Sequence, residues 1–334
     1  MKRLPRIFRL ADVIRTFRYD LTRGRTVLVH PGRVTLGRRY AVLVAFQPDG
    51  ISESLIQTCT HLVRESFSVV LVSNARLSES DCFQLRKLCH VVIERPNIGH
   101  DFGAYKEGIH YLVPYLADAE RLLLLNDSIV YPVVQPDTLI PTLEKLDVDA
   151  ASAAYVREAR KYRPRYRERL PTLASFFLYF RERAINSPAF LAFWQQHLLT
   201  GSKPAVVRFG EHGLTATLRL AGISMGAIGS KHALRERLSE LSTMTLLDLY
   251  GERCLSEEYE LWLTEPNQLG VTTSTLAERD AELRGVIDRY IDEASVIQTS
   301  GHVCCVYLSM NLLKKQDRPS LIFLSKERVA SPSQ

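Results

Sequence analysis

The sequence predicts an α/β protein built on a mostly parallel sheet that is flanked by helices. From residue 39 onward, short β-rich runs alternate with segments of helical spacing. Such alternation, with helices of roughly 10–15 residues between the strands, is typical of parallel strands joined by right-handed crossovers. In addition, four leucines at residues 122–125 lead directly into the polar triplet Asn126-Asp127-Ser128. In α/β proteins ligands bind where parallel strands end, so this triplet indicates a site.

The predicted elements can be placed in chain order. Strands are expected over residues 40–46, 67–72, 90–94 and 122–125, and helices over 51–65, over 77–89 and from the segment 97–105. Farther along we expect a buried strand at 173–180, a helix capped by Ser187 with Pro188 in its first turn, a short strand at 206–209, and a helix at 214–221 closed by Gly222. Residues 233–298 are expected to be largely helical, and residues 300–327 to hold an apolar helix and a strand at 321–324.

This order divides the chain into three predicted parts. Residues 1–38 form a basic N-terminal segment, and residues 39–232 form the α/β domain that holds the site. Residues 233–334 form a helical C-terminal extension, with an element near 300–325 that closes the site. In the first part, arginines are mixed with apolar residues at helical spacing. An interfacial membrane helix and a helix packed on the domain both fit this pattern.

Composition and charge narrow the class of partner. The net charge of +6 and the pI of about 9.0 suit a nucleotide, a phospholipid surface or a nucleic acid, and a solvated surface explains them equally well. No apolar run approaches the roughly 18 residues of a membrane span, and the N-terminus lacks the apolar stretch of a signal peptide, so we expect a cytoplasmic protein. The six cysteines form no Cys-x-x-Cys pair, so we expect reduced thiols and no zinc site.

A strongly basic run at residues 157–169 holds seven basic side chains, with Tyr162 and Tyr166 between them. Pro164 disfavours a continuous helix there. The run could hold the lipid diphosphate of an acceptor, dock on an anionic membrane, or be a solvated loop. RNA binding is a fourth hypothesis for this run. The sequence shows no pattern of an RNA-binding fold, so we expect no nucleic-acid partner.

Candidate site residues recur where predicted strands end and helices begin. They are Asp49 and Gly50 after the first strand, Asn97, Gly99 and Asp101 at a helix start, Asn126, Asp127 and Ser128 after the leucine strand, and Glu211 and His212 before a later helix. A carboxylate at a strand end can hold a divalent metal or a sugar hydroxyl. The alternative at each place is a turn or a helix cap, because Asn, Asp and Ser also favour those positions.

In this order the segments resemble those of GT-A glycosyltransferases, and most closely those of the rhamnan synthesis F family of bacterial polysaccharide assembly. The resemblance covers roughly residues 40–325 and rests on residues 97–101, 125–128, 175–177, 187–194 and 211–215, with residues 299–302 as a further match. Asn126-Asp127-Ser128 has one carboxylate where an Asp-x-Asp motif is usual, which leaves metal dependence open. His212 stands where the second acid of a Glu-Asp pair is usual.

The resemblance implies a glycosyltransferase that moves a sugar such as rhamnose from a nucleotide diphosphate donor to a growing cell-surface polysaccharide, for example a lipopolysaccharide O-antigen, with inversion. It implies that Glu211 is the general base, with His212 as its alternative, and that Asp127 and His302 hold Mg²⁺ or Mn²⁺. The implied donor-binding residues are Asp49, Gly50, Asn97, Gly99, Asp101, Asn126 and Ser128.

The expected partners are the nucleotide sugar donor and a lipid-linked saccharide acceptor. Peripheral contact with the inner face of the cytoplasmic membrane is a further option for such an acceptor. A second hypothesis is a non-catalytic partner of the same fold in a polysaccharide assembly complex. The missing second carboxylates, at residues 126–128 and at His212, favour that alternative.

Overall fold

The computed structural model describes residues 6–156, 171–254, 273–293, 308 and 310–315. The central sheet contains β1 (Leu28–Pro31), β2 (Arg39–Ala45), β3 (Ser68–Ser73), β4 (Val91–Glu94), β5 (Arg121–Asn126), β7 (Ala150–Val156), β8 (Thr172–Leu173), β9 (Phe177–Arg181) and β10 (Met225–Gly229). A separate two-stranded sheet pairs β6 (Ile129–Val130) with β11 (Leu313–Lys314).

Twelve α-helices are seen in the described residues: α1 (Arg6–Thr26), α2 (Glu53–Arg64), α3 (Glu79–Leu88), α4 (His100–Leu112), α5 (Leu139–Lys145), α6 (Glu182–Ile185), α7 (Pro188–Gln196), α8 (Lys203–Val206), α9 (His212–Leu220), α10 (Lys231–Ser239), α11 (Thr243–Cys254) and α12 (Thr273–Glu293). A 3₁₀ helix, Val113–Asp118, follows α4, and a π-helical turn, Val207–Glu211, joins α8 to α9. No helix among the described residues is long and apolar enough to cross a membrane.

The order of strands across the central sheet is β1-β4-β3-β2-β5-β9-β7-β10, and β8 pairs with β7. Strands β1, β8 and β9 run opposite to the other six. This mixed, mostly parallel sheet with helices on both faces confirms the predicted α/β class and is consistent with a GT-A-like arrangement. The strand predicted at 173–180 is present as two strands, β8 and β9, separated by a turn.

The central strands are buried on both faces because they are nearly continuous apolar runs, as parallel strands covered by helices must be. Successive side chains alternate between two hydrophobic clusters. Leu43 and Leu125 belong to the cluster shared with α2, α3, α5 and α10–α12, whereas Val42 and Leu124 belong to the cluster shared with α4, α7 and α9. The helices predicted as a C-terminal extension therefore pack in the same core as the sheet.

The strand order reverses at β2, which has β3 on one side and β5 on the other. At such a switch the crossover helices lie on opposite faces, and α/β proteins form their ligand crevice at the carboxyl ends of the two strands. The chain leaves β2 at Ala45 and β5 at Asn126, and these two ends are adjacent because Val44 is in register with Asn126. The polar triplet singled out in the sequence therefore lies at this crevice.

The strand predicted at residues 206–209 is wrong, because this segment is the end of α8 followed by the π-helical turn. The β-propensity of its valines and phenylalanine is overridden by a helix start just upstream. The Ser202 carbonyl accepts hydrogen bonds from the amides of Ala205 and Val206, and Pro204 lies in the first turn. Gly210 then packs against the ring of Phe102, where an added Cβ would lie 2.6 Å from a ring carbon.

Candidate active site

The start of α4 is a tight turn that places Asp101 at the crevice. Gly99 caps the helix with φ at +83°, in the left-handed region that favours glycine. A Cβ on Gly103 would lie 2.2 Å from the carbonyl oxygen of Ile98, so only glycine fits there. In the first turn that results, Asp101 Oδ2 accepts a hydrogen bond of 3.0 Å from Asn126 Nδ2 at the end of β5.

A buried network fixes this turn from behind. Arg95 donates to Asn74 Oδ1 (2.5 Å), to the Ile98 carbonyl (2.6 Å) and to the Tyr19 hydroxyl of α1 (3.0 Å). Tyr19 in turn donates to Glu107 Oε2 (2.6 Å), and burial raises the pKa of its hydroxyl. Because removing one member of a buried charged network leaves the others unpaired, we expect each to matter for the position of Asp101.

The triplet after β5 ties the two central strands together. Asn126 Oδ1 accepts hydrogen bonds from Ser128 N (3.2 Å) and Ser128 Oγ (2.5 Å). Asp127 Oδ2 accepts two bonds of 3.0 Å, from the backbone N of Phe46 and from Gln47 Nε2, just after β2. The triplet therefore forms a turn whose carboxylate spans the switch point, and the site interpretation stays a prediction.

Glu211 lies on the other side of the crevice, at the last residue of the π-helical turn. Its Oε2 accepts two hydrogen bonds from Ser175, at 3.1 Å from the backbone N and 2.6 Å from Oγ. Ser175 is itself held by Tyr105, whose hydroxyl donates to its carbonyl at 2.9 Å. Within the described residues Glu211 Oε1 has no hydrogen-bond partner. π-Helical turns are frequent at functional sites, and this one aims a carboxylate.

Lys314 on β11 brings a cation to the same place. Its Nζ donates to Ser128 Oγ at 2.8 Å and lies 4.0 Å from the centre of the Phe176 ring. Burial lowers the pKa of Lys314 to about 8, although the nearby Asp101 and Glu211 oppose that shift. Burial also raises the pKa of Asp101, with a further contribution from Asp127. The ammonium therefore lies near two of the predicted site carboxylates, Asp101 and Glu211.

The structure brings together most, but not all, of the residues predicted from sequence. Asp101, Asn126, Asp127, Ser128 and Glu211 converge at the crevice. His212 lies beside them, with Nδ1 2.8 Å from Thr172 Oγ1. Asn97, Asp49 and Gly50 are exposed in neighbouring loops. The predicted metal ligand His302, the basic run at 157–169 and the strand at 321–324 lie outside the described residues.

Three site residues were not predicted. Lys314 gives no signal in the sequence, because only the pairing of β11 with β6 brings it to the triplet. Ser175 belongs to a segment that carried the family resemblance, yet its role as the hydrogen-bond donor to Glu211 depends on tertiary structure. From the sequence, Tyr105 looks like an ordinary core residue. Its hydroxyl acts in the site only because it donates a hydrogen bond to the Ser175 carbonyl.

The donor set at the crevice can be compared with what a divalent metal requires. Hard cations take several oxygen ligands, mostly carboxylates. In the described part of the chain, Asp127 belongs to no group of three His, Cys, Asp or Glu ligands close enough to share an ion. One of its oxygens already accepts two hydrogen bonds, and Lys314 and Lys203 both bring positive charge close to the neighbouring Asp101. The described residues at the crevice therefore supply no group of three such ligands, and the metal prediction for Asp127 and His302 stays a prediction.

Comparison with known families agrees with the resemblance seen in the motifs. The family model for rhamnan synthesis protein F matches residues 69–239, which is just over half of the chain. The chain belongs to this family. The matched region contains the start of α4, the triplet after β5, and Glu211.

Two curated relatives are similar over part of their length. An uncharacterized protein, y4gN, from Sinorhizobium fredii (strain NBRC 101917 / NGR234) is 27% identical over 257 residues, covering 76% of this chain and 66% of that protein. The virulence protein VirA of Vibrio anguillarum is 40% identical over 80 residues, covering 23% of this chain and 25% of that protein. The chain thus matches just under two thirds of the first relative and a quarter of the second.

Two solved glycosyltransferase structures show a slight likeness. GlyE from Streptococcus pneumoniae TIGR4 has a TM-score of 0.29 at 12% identity, over 77% of this chain and 64% of that one. The mannosyltransferase PcManGT from Pyrobaculum calidifontis, in complex with GDP-Man and Mn²⁺, has a TM-score of 0.30 at 13% identity, over 96% and 94%. At these scores the likeness supports no conclusion about donor, metal or mechanism.

Proposed function

We propose that this chain is a glycosyltransferase that moves a sugar from a nucleotide diphosphate donor to a growing cell-surface polysaccharide. The observation that carries the proposal is that an oriented carboxylate, Glu211, and a partly buried ammonium, Lys314, lie near each other at the switch point of the sheet. Transfer from such a donor needs a base for the acceptor hydroxyl and a positive charge for the departing diphosphate. Membership of the rhamnan synthesis protein F family supports the polysaccharide product.

In the proposed reaction the acceptor hydroxyl oxygen forms a bond to the anomeric carbon of the donor sugar. The hydroxyl proton passes to Glu211 Oε1, while Ser175 holds the other carboxylate oxygen. The bond from the anomeric carbon to the diphosphate oxygen breaks, and both of its electrons leave with the diphosphate. With a deoxysugar donor such as dTDP-rhamnose, β-linked donor and α-linked product would make this a single inverting displacement.

Lys314 is our candidate for the charge that meets the diphosphate. Its ammonium is fixed by Ser128 Oγ and by the face of Phe176, so the protein has already ordered it before the donor arrives. A preorganised charge in a buried site stabilises developing negative charge more than a mobile surface charge does. The expectation that Asp127 and His302 hold Mg²⁺ or Mn²⁺ stays a prediction, which a chelator can test against Lys314.

The acceptor is proposed to be lipid-linked and to be met at the membrane surface. One face of α1 packs on the domain through Thr16 and Tyr19, whereas the opposite face carries a stripe of exposed apolar side chains: Leu10, Val13, Ile14, Phe17 and Leu21. These positions recur at three- and four-residue intervals, as on an interfacial helix. Arg18 and Arg25 are exposed beside the stripe and complement anionic headgroups.

The second candidate function is a non-catalytic partner in a polysaccharide assembly complex. It is favoured by the single carboxylate in Asn126-Asp127-Ser128 and by His212 in place of a second acid. Such a protein would keep the fold and bind no donor, or bind the donor without turnover. The two functions therefore differ in whether nucleotide is released.

The testing experiment measures both binding and turnover. Melting temperature is recorded with a panel of nucleoside diphosphates and their sugars, since a ligand that binds only the folded state raises it. Release of nucleoside diphosphate is then followed with the donor that binds best, with and without a lipid-linked acceptor. Release that depends on both the acceptor and Glu211 supports the transferase. Binding without release, at every metal and acceptor condition, would overturn it in favour of the partner.

A further inference from the structure

We propose that His30, Cys82 and Glu94 form a zinc-binding site. The site lies at the edge of the sheet formed by β1 and β4, on the face that α3 covers. The side-chain donors are an imidazole nitrogen, a thiol sulfur and a carboxylate oxygen, and they all lie within 4.8 Å of one another. Among the described residues, these three donors lie close enough together to share one ion. It lies apart from the carboxylate crevice and belongs to no step of the proposed sugar transfer.

Three different elements fix the donors, which gives the site a defined shape. His30 lies on the outer strand β1, Glu94 ends the adjacent strand β4, and Cys82 lies in α3, which covers them. Glu94 and Cys82 are buried, while the His30 side chain is 29% exposed. No zinc site was expected from the sequence, because the three donors are 12 to 64 residues apart and form no spacing motif.

The geometry needs only small changes to close around a zinc ion. With bonds of about 2.0–2.3 Å in tetrahedral coordination, ligand atoms stand about 3.3–3.8 Å apart. His30 Nε2 and Glu94 Oε1 are now 2.8 Å apart and share a proton, so the pair would open by about half an ångström as zinc replaces that proton. The thiol would move closer by about one ångström, which a side-chain rotation can supply.

The chemistry of the set selects zinc over magnesium or calcium. A thiolate is a soft ligand and imidazole a borderline one, and both suit zinc, whereas magnesium and calcium prefer oxygen alone. A thiolate and a carboxylate together carry two negative charges, which balance the divalent ion. A thiol must lose its proton to coordinate zinc, so binding at Cys82 should release a proton.

The charged side chains around the three donors do not prevent a cation from binding there. Arg76 Nη1 lies 3.6 Å from Glu94 Oε2 but is largely exposed, and Arg86 directs its Nε to the carbonyl of Pro31 at 2.8 Å. Glu79 lines the same cavity and offsets one of these charges. The cavity of about 570 Å³ opens over the three donors, so water or a small ligand can complete a tetrahedral site.

The experiment titrates metal-stripped protein with Zn²⁺ and, separately, with Co²⁺, whose charge-transfer absorption reports a thiolate ligand. We expect one zinc per chain, release of a proton on binding, a rise in melting temperature, and a Co²⁺–thiolate band. Cys82→Ser and His30→Gln should each weaken zinc binding by at least about tenfold, the scale seen when a metal's ligand shell is disturbed. Cys82→Ser should also abolish the band.

The matched control is His110→Gln, since His110 is exposed on α4, which packs on the opposite face of the sheet from α3, and should leave zinc binding unchanged. Circular dichroism and nucleotide binding show whether each variant is folded, and His30→Gln, at a partly exposed position, gives a second test if Cys82→Ser fails to fold. Zinc binding and a Co²⁺–thiolate band that survive in both variants would falsify the proposal, because another cysteine would then be the ligand. Failure of zinc binding leaves the transferase proposal untouched.

Discussion

Ser175 donates two hydrogen bonds to a single oxygen of Glu211, one from its backbone and one from its hydroxyl. The carboxylate is therefore held in one orientation, and its second oxygen makes no hydrogen bond to the described residues. A short turn between β8 and β9 supplies both bonds, and Tyr105 supports that turn from the core. An acceptor hydroxyl needs a base in a fixed position, so this pair is the first target for mutation.

Glu211→Gln should lower sugar transfer by about 100-fold or more, the usual effect of losing a general base. The amide oxygen can still accept both hydrogen bonds from Ser175, so donor binding should be retained. The measurement compares single-turnover transfer and donor affinity for the two proteins. His212→Gln is the control, and a loss of transfer in that variant alone would assign the base to His212.

Lys314→Met should weaken binding of a nucleoside diphosphate by at least about tenfold, because a charge-assisted contact at a partly buried position is lost. The neighbouring Lys315→Met is the matched control and should bind normally. Binding to wild type should also persist in a chelator. If the chelator abolishes binding and Lys314→Met does not, then a metal rather than Lys314 neutralises the diphosphate.

The same lysine predicts a pH dependence. Because the pKa of Lys314 is lowered to about 8, the free protein loses this charge as pH rises through 8 instead of near 10.5. Diphosphate affinity should therefore fall above pH 8 in wild type. In Lys314→Arg, whose guanidinium stays charged, affinity should be flat over that interval, and a parallel decline in both proteins would remove the assignment.

Replacing Phe17 and Leu21 with Ser should weaken binding to anionic liposomes while leaving nucleotide binding intact. Both side chains are more than 60% exposed on the apolar face of α1, so their replacement removes membrane contact without opening the core. Leu220→Ser is the control, since Leu220 is 90% exposed on α9 and outside the stripe. Sedimentation with liposomes at low salt measures the effect, and equal losses in both variants would contradict it.

Gly103→Ala should lower the free energy of unfolding by about 2 kcal/mol or more, since its Cβ would meet the Ile98 carbonyl oxygen at 2.2 Å. It should also weaken donor binding, because the turn that holds Asp101 must shift. Gly24→Ala in α1 is the control: its Cβ meets no atom within 4 Å, and alanine favours a helix. Denaturant unfolding of the two variants makes the comparison.

His197 should make the protein sensitive to acid. Burial, with the nearby charge of Lys106, lowers its pKa from 6.5 to about 4, and its Nε2 has no hydrogen-bond partner among the described residues. The folded state therefore favours the neutral ring, so stability present above pH 6.5 is lost as pH falls from 6.5 towards 4, by on the order of 3 kcal/mol. His197→Phe should remove this part of the decline, which unfolding curves at pH 7 and 4.5 would show.

Periodicity and strand-end chemistry were enough to predict the central strands, the helices between them and the crevice residues. Continuous apolar runs such as residues 122–125 are stable only as strands inside a sheet that helices cover on both faces. Residues 206–209 were predicted wrongly because local β-propensity was weighed without the helix start at Ser202 and Pro204. Lys314 could not have been found, because its contact with Ser128 spans 186 positions and depends on β11 pairing with β6.

The short strand β1 also protects the protein from pairing with other protein chains. It covers the outer backbone edge of β4, whose sequence Val-Val-Ile-Glu is rich in β-branched residues. An uncovered edge of that kind pairs readily with another chain. A truncated protein that begins at residue 39, where the regular alternation of strands and helices starts, would therefore be prone to aggregate. It would still contain all of the crevice residues.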